Sequence, residues 1–307
     1  MKPEQCRNMA ASVKQRLLNM RKSGDDFNFL LTRFAAERLL FRLAESKYGR
    51  AFVLKGAMLF QFGAFRVPHR PTHDLDLLGK GLPDISRLEG VFREVCQVRV
   101  VDDGLIFSQE RVRGEQIRAD DEYAAVRLHL EARMGAARIP LQVDVGFGDS
   151  PTPPPRRAKL ATLLDFPAPS VLVYPWEAVV AEKFHAIVRL GMGNSRMKDY
   201  FDLDHLAATQ AFEGKTLARA IGAAFRSRST PLPQETPEGL CPTFGMDPVK
   251  QTQWRAFLRR LHLEAGARPL ANVVAKLRTF LMPPAESLVE RKAFSLRWIP
   301  NGPWSRE

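Results

Sequence analysis

The sequence predicts an α+β fold: a mixed sheet with helices ahead of it and a mostly helical C-terminal region. Three observations predict it. Strict alternation of apolar and polar residues marks strands at 74–78 and 139–147, both in the first half. Apolar residues at i, i+3 and i+4 mark helices before those strands and through most of the second half. A proline-rich, basic stretch at 151–157 separates the two halves. The expected division is therefore a sheet core with N-terminal helices over 1–150 and a mostly helical region over 151–307.

Taken in order, a helix is expected over 6–22, from Val13, Leu17 and Met20 at helical spacing. A stronger pattern, Phe29, Leu30, Phe34, Leu39, Leu40 and Leu43, predicts a helix over 27–46 with Gly49 as its C-cap. A short strand over 51–54 leads into Lys55-Gly56 and a short helix at 58–62. Two prolines make 66–72 a loop. After the strand at 74–78 come a helix at 85–97, strands at 104–107 and 124–131 with a charged loop between them, and the strand at 139–147. Helices are expected at 176–190, 196–210, 214–225, 248–263 and 267–282. The segment 228–247, with four prolines and two glycines, reads as an exposed loop, and the chain reads as irregular from 283.

Composition limits the function. The 307 residues carry a net charge of +12 with 45% apolar residues, an ordinary globular balance with a basic surface. Basic charge spread along a folded chain attracts polyanions, nucleic acid and nucleoside triphosphates first. Cys6, Cys96 and Cys241 are odd in number and far apart, which excludes a disulfide framework and a zinc site and fits a reducing cytoplasm. The N-terminal stretch lacks the apolar core of a signal peptide, and no apolar run is long enough to span a membrane.

The most informative residues are carboxylates. Strand residues two apart share a face, so Asp74 and Asp76 project together while Leu75 and Leu77 pack inward. Two carboxylates this close repel unless a divalent cation lies between them, and Mg²⁺ prefers such oxygen ligands while keeping room for phosphate. Asp144, flanked by Val143 and Val145 on the strand at 139–147, offers a third carboxylate if that strand lies beside the first. Two ions on three aspartates could clamp a triphosphate and activate an attacking hydroxyl. An isolated Asp-x-Asp pair is more often a solvated strand face; the glycine turn ahead of it, the Arg/Thr-rich loop and the third aspartate favour the metal reading.

Lys55-Gly56, between a strand and a short helix, would let backbone N–H groups approach phosphate, and Thr72 could add a hydroxyl. His73 reads as a packing or surface histidine. In the helical half, Lys183 lies on the flank of a helix whose Ala181, Phe184 and Val188 face inward. A lysine there can serve as a point charge on a triphosphate, with Asp199 orienting it and Asp202 one turn along the same face. Ordinary surface ion pairs, such as Glu182 with Arg189, are the plain alternative.

Together, FVLKGAMLF, RPTHDLDLL, IPLQVDVGFGD, VVAEKFHAIVRLG and SRMKDYFDL resemble the AbiE-type (AbiEii/AbiGii) abortive-infection toxins, nucleotidyltransferases of the DNA polymerase beta-like superfamily. The resemblance covers about residues 28–210. It implies a nucleotidyltransferase-type mixed sheet with a helical C-terminal region completing the active-site cleft. It implies metal binding at Asp74, Asp76 and Asp144, active-site roles for Lys183 and Asp199, and a phosphate contact at Thr72, beside the Lys55-Gly56 turn. It implies a Mg²⁺-dependent transfer, with two ions expected, of a nucleoside monophosphate from an NTP. The acceptor it implies is RNA, at the tRNA 3′ end; by its charge, a basic surface including Arg156, Arg157 and Lys159 would steer that RNA. The setting it implies is a type IV-like toxin–antitoxin or phage-defence system with a cognate antitoxin, in the cytoplasm and away from membranes. Transfer to a protein or small molecule, and a catalytically retired nucleic-acid-binding protein, are the alternatives. One departure from the superfamily pattern is Ala57 after Gly56, where a serine or glycine is more usual.

Overall fold

The computed structural model describes residues 3–21, 26–62, 72, 74–119 and 123–306. Most of the loop expected at 66–72, and His73, lie outside the described residues. The chain forms two compact units, Met1–Gly148 with Arg156–Val173, and Asp149–Pro155 with Tyr174–Glu307.

The first unit opens with helices α1 (Pro3–Met20) and α2 (Phe27–Glu45). Asp26 caps α2 by accepting the Asn28 N–H. At its other end Ser46, not Gly49, is the C-cap, its N–H bonded to the Arg42 carbonyl and its hydroxyl donating to Leu43 O. Then follow β1 (Phe52–Lys55), α3 (Met58–Phe62), β2 (Asp74–Gly79), α4 (Ile85–Cys96), β3 (Ile106–Phe107), β4 (Arg113–Ala119), β5 (Tyr123–Met134), β6 (Ala137–Phe147), β7 (Arg156–Lys159) and β8 (Ser170–Val173).

These strands make one mixed sheet in the order β3-β5-β6-β2-β1-β8-β7, with β4 also paired to β5. β2 runs parallel to β6 and antiparallel to β1, while β1 runs parallel to β8. Leu75, Leu77, Val143 and Val145 are buried, as alternation requires when one face carries charge. α2 packs on β6 and β8. Its Arg38 and Arg42 are buried and converge on buried Asp103, at 2.6–3.0 Å.

Several expectations are corrected here. The charged loop expected between 107 and 124 contains a single helical turn and β4, which pairs with β5; its Arg113, Glu115 and Gln116 are exposed and show no apolar alternation. β7 and β8 were not anticipated, and they place Arg156–Val173 with the sheet rather than with the helical region.

The second unit consists of α5 (Trp176–Leu190), α6 (Met197–Thr209), β9 (Phe212–Glu213), α7 (Gly214–Ser227), α8 (Pro242–Met246), α9 (Pro248–Arg260), α10 (Leu270–Val289), β10 (Arg297–Trp298) and β11 (Trp304–Ser305). α10 packs against α6, α7 and α8. The segment expected as an exposed loop at 228–247 holds α8, started by Pro242, and buries Leu240 and Phe244. α10 continues through Pro283 and Pro284, because Leu281, Met282, Pro284 and Ala285 are buried along it. The expected irregular tail instead builds a small sheet, β11-β10-β9, in which Trp298 is buried 4.7 Å from the Phe280 ring and donates to the Ala207 carbonyl.

Candidate active site

Strand register assembles one charged row across the sheet. Lys55 on β1 stands opposite Asp76 on β2, Asp76 opposite Asp144 on β6, and Asp144 opposite Arg127 on β5. Residues in register share a face, so two cations flank two carboxylates along four adjacent strands. The neighbouring row sets Asp74 opposite Gln142, and Gln142 opposite His129. The three aspartates expected from sequence are therefore brought to one face of one sheet. Strands about 4.8 Å apart hold their side chains close enough for a shared ion.

Arg127 grips Asp144 with both arms of its fork. Its Nε donates to Oδ1 at 2.9 Å and its Nη2 to Oδ2 at 2.8 Å. These bonds hold the guanidinium above its ordinary pKa. The Gln142 amide bridges the two rows, donating to Asp74 Oδ1 at 3.1 Å and to Asp144 Oδ2 at 3.4 Å. Sequence reasoning missed Arg127 and Gln142. Gln142 had a signal, two residues before Asp144 on the same strand; Arg127 had none, because its role comes from the antiparallel pairing of β5 with β6.

Gly56 follows Lys55 with φ of +72°, a conformation that favours glycine. A methyl group there would run into Asp76 Oδ2, so glycine also leaves the space the carboxylate occupies. Lys55 reaches along the same face: a methyl at Gly146 would meet its Nζ at 3.1 Å. Thr72 is half-buried, two residues before β2. Ala57 is buried at the start of the turn into α3.

Does this face suit Mg²⁺? Among the described residues no three His, Cys, Asp or Glu side chains form a ready-made metal cage. Mg²⁺ does not need one: it is held by one or two carboxylates together with water and substrate phosphate. Asp74 and Asp76, two hard oxygen donors on one strand face beside a glycine that clears space for Asp76, fit that requirement.

The second unit carries the other expected residues. Lys183 on α5 lies 2.6 Å from Asp199 Oδ1 and 2.8 Å from Asp202 Oδ2, both on α6. Arg196 Nε is 2.9 Å from the second Asp199 oxygen. Both aspartates are buried, and Asp199 sits in the first turn of α6, where the helix dipole favours negative charge. Burial alone would lower the Lys183 ammonium, but Asp199 and Asp202 outweigh it and hold it above the ordinary lysine range. These are not the surface pairs considered as the alternative. Glu182, for its part, accepts from the Tyr174 hydroxyl at 2.7 Å and lies 3.4 Å from Arg228.

Residues 38–281 match the family model described as "Nucleotidyl transferase AbiEii toxin, Type IV TA system". Among solved structures, the chain is similar to MenT4, a nucleotidyltransferase toxin from Mycobacterium tuberculosis, at 17% identity and a TM-score of 0.50, covering 91% of this chain and 98% of that one. It is also similar to JHP933 from Helicobacter pylori, at 16% identity and a TM-score of 0.48, covering 85% and 94%. No curated protein matches the sequence. Among the described residues no helix is long and apolar enough to cross a membrane.

Proposed function

From the premise that this chain belongs to the AbiEii family of nucleotidyltransferase toxins of type IV toxin–antitoxin systems, we propose that it transfers a nucleoside monophosphate from an NTP to the 3′ end of a cytoplasmic RNA, tRNA first, with Mg²⁺. An acceptor hydroxyl attacks the α-phosphorus, the bond to the β-phosphate oxygen breaks, and pyrophosphate leaves. The observation that carries the reading is the row in which Asp76 stands opposite Asp144, with Asp74 two residues away on the same face.

Asp74 and Asp76 would hold the ion that carries the triphosphate. Asp144 is the third carboxylate of the set; it would help hold a second ion and assist removal of the acceptor proton. Mg²⁺ supplies charge neutralisation at the transferred phosphoryl group. Lys55, Gly56 and Thr72 shape the turn that receives phosphate, through backbone N–H groups, an ammonium and a hydroxyl. In the second unit Asp199 and Asp202 fix the ammonium of Lys183, a point charge of the kind that pairs with phosphate. Arg156, Arg157 and Lys159 lie exposed on the edge strand β7, a basic strip suited to steering RNA. A cognate antitoxin follows from the family.

The test incubates the full chain with Mg²⁺, each α-labelled NTP in turn and total cellular RNA, followed by a denaturing gel. Label in a tRNA-sized band, absent with Asp76→Ala, is the expected result. Label on protein instead of RNA overturns the acceptor, and no label with any of the NTPs overturns the reaction.

A further inference from the structure

We propose that the exposed face of β5 and β6, from Asp144 to the hairpin that joins them, is the track on which the acceptor RNA lies as a single strand, its phosphodiesters on Arg113, Arg133 and Arg138. The inference rests on the RNA-acceptor reading above and assigns that acceptor a surface. Direction comes first. In-line transfer puts the attacking hydroxyl opposite the departing pyrophosphate. The turn that receives phosphate, at Lys55 and Gly56, stands at the β1 end of the charged row. The acceptor therefore enters from the other end, past Asp144 and over β5.

From that point the face stays open in one direction only. Towards the end of β6, Gly146 and its partner Ala125 are buried. Towards the hairpin, His129, Arg133, Arg138 and Pro140 are exposed, while the alternating Leu128, Leu130, Ile139 and Leu141 are buried in the core. Asp144 and Arg138 are six residues apart on β6, about 20 Å of strand, room for several nucleotides.

The charge of this face suits a polyanion. Arg133 on β5 stands directly opposite Arg138 on β6, and like charges so placed repel; a phosphate between them removes that cost. Glu131, 3.1 Å from Arg133, offsets only one of the two. Arg113 on β4 stands opposite His129 and donates to the main-chain carbonyls of Glu110 and Val112, at 2.8 Å each, which hold its fork without cancelling its charge. Ile106, 59% exposed on β3 opposite Arg133, adds apolar contact for an unstacked base. Arginine forks beside an apolar ledge fit single-stranded RNA, whose phosphates and bases are both accessible.

The experiment measures two things on the full chain: retention of a labelled short single-stranded oligoribonucleotide on filters across a salt series, and transfer from labelled NTP to total cellular RNA. It compares the natural protein with Arg133→Glu/Arg138→Glu and the milder Arg133→Gln/Arg138→Gln. Arg255→Glu/Arg259→Glu, on the exposed face of α9, is the control for charge in general. All four side chains are exposed, so the fold should survive. Circular dichroism checks it, and the Gln pair decides if the Glu pair misfolds. The Gln pair is expected to weaken RNA binding about tenfold and to flatten the salt slope by about 1.4, and the Glu pair to weaken binding further, with the control within about twofold of the natural protein. Unchanged binding in the folded track variants, or an equal loss in the α9 control, overturns the track. If either occurs while the natural protein still labels RNA, the RNA acceptor stands. A natural protein that neither binds nor labels RNA overturns both.

Discussion

Asp76 and Asp144 stand opposite each other in the parallel pairing of β2 with β6, although 68 residues of chain separate their rows at Asp74 and Gln142. Parallel strands need a long crossover, and here the crossover carries α4, β3, β4 and β5. One of those strands, β5, returns beside β6 to deliver Arg127 to the same row. The pairing therefore brings the carboxylates together and neutralises one of them in a single arrangement.

Asp76→Ala is expected to remove nucleotide transfer by a factor on the order of 10³ or more, as loss of a metal ligand forfeits several kcal/mol of charge stabilisation. The residue is half-buried on a strand face, so the fold should survive. A labelled-NTP assay beside a circular dichroism melt checks both halves. An active, folded variant would contradict the assignment of Asp76 to the metal.

Gly56→Ala should be more damaging than glycine-to-alanine changes usually are. The residue has φ of +72° and its added methyl group collides with the Asp76 carboxylate. Expected are a stability loss of about 1–3 kcal/mol in denaturant unfolding and a fall in transfer from the displaced carboxylate. Gly90→Ala, where an added methyl group meets open space, is the control.

Lys183→Met takes the ammonium away from two buried aspartates, Asp199 and Asp202, and leaves Arg196 beside Asp199. Removing one partner of a buried pair costs about 3–5 kcal/mol. Asp199 and Asp202 hold the Lys183 proton above the ordinary lysine value of 10.5, so the pair's contribution is fully present below that pH and the loss should shrink as pH rises beyond it. Urea unfolding at neutral and alkaline pH measures it; a pH-independent loss would show that packing, not charge, is what the lysine supplies.

Glu37 governs an acid-side pH dependence. Burial is the main cause that raises its carboxyl from 4.5 to about 7, against the hydrogen bond from the Leu163 N–H and the nearby Arg38. The folded state therefore binds the proton more tightly than the unfolded one. Its contribution is fully present below pH 4.5 and is lost as pH rises through about 7. Glu37→Gln keeps an acceptor for Leu163 without the ionisation. It should gain on the order of 1–3 kcal/mol over the natural protein above neutrality and flatten this part of the stability profile. Melting temperatures between pH 4.5 and 8 test it, and parallel profiles for both proteins would refute it.

Much of the fold was legible because local periodicity and burial coincide. Leu30, Phe34, Leu39, Leu40 and Leu43 are all buried along α2, and α5 spans Trp176–Leu190 as its apolar spacing predicts. Legibility failed where an element is stabilised from a distance. β4 is polar, with Arg113, Glu115 and Gln116 exposed, and its strand form rests on pairing with β5. α10 runs over two prolines because its buried face, Phe280 to Ala285, outweighs the missing N–H groups. β10 pairs with β11 close by and with β9 far back in the chain.

The sequence by itself determined which residues could do chemistry: Asp74 and Asp76 on one strand face, Asp144 on another, Lys183 and Asp199 one helix apart. Their types and two-residue or helical spacings are local properties, readable without knowing where the chain goes. Only the tertiary structure decided that β6 lies beside β2 in the register that sets Asp144 against Asp76, and that Arg127 holds Asp144. It also decided that Lys183 pairs with Asp202 as well as Asp199. Register across a sheet is set by burial of whole strand faces and by the connections between strands, so a one-residue slip would move every one of these side chains to the other face.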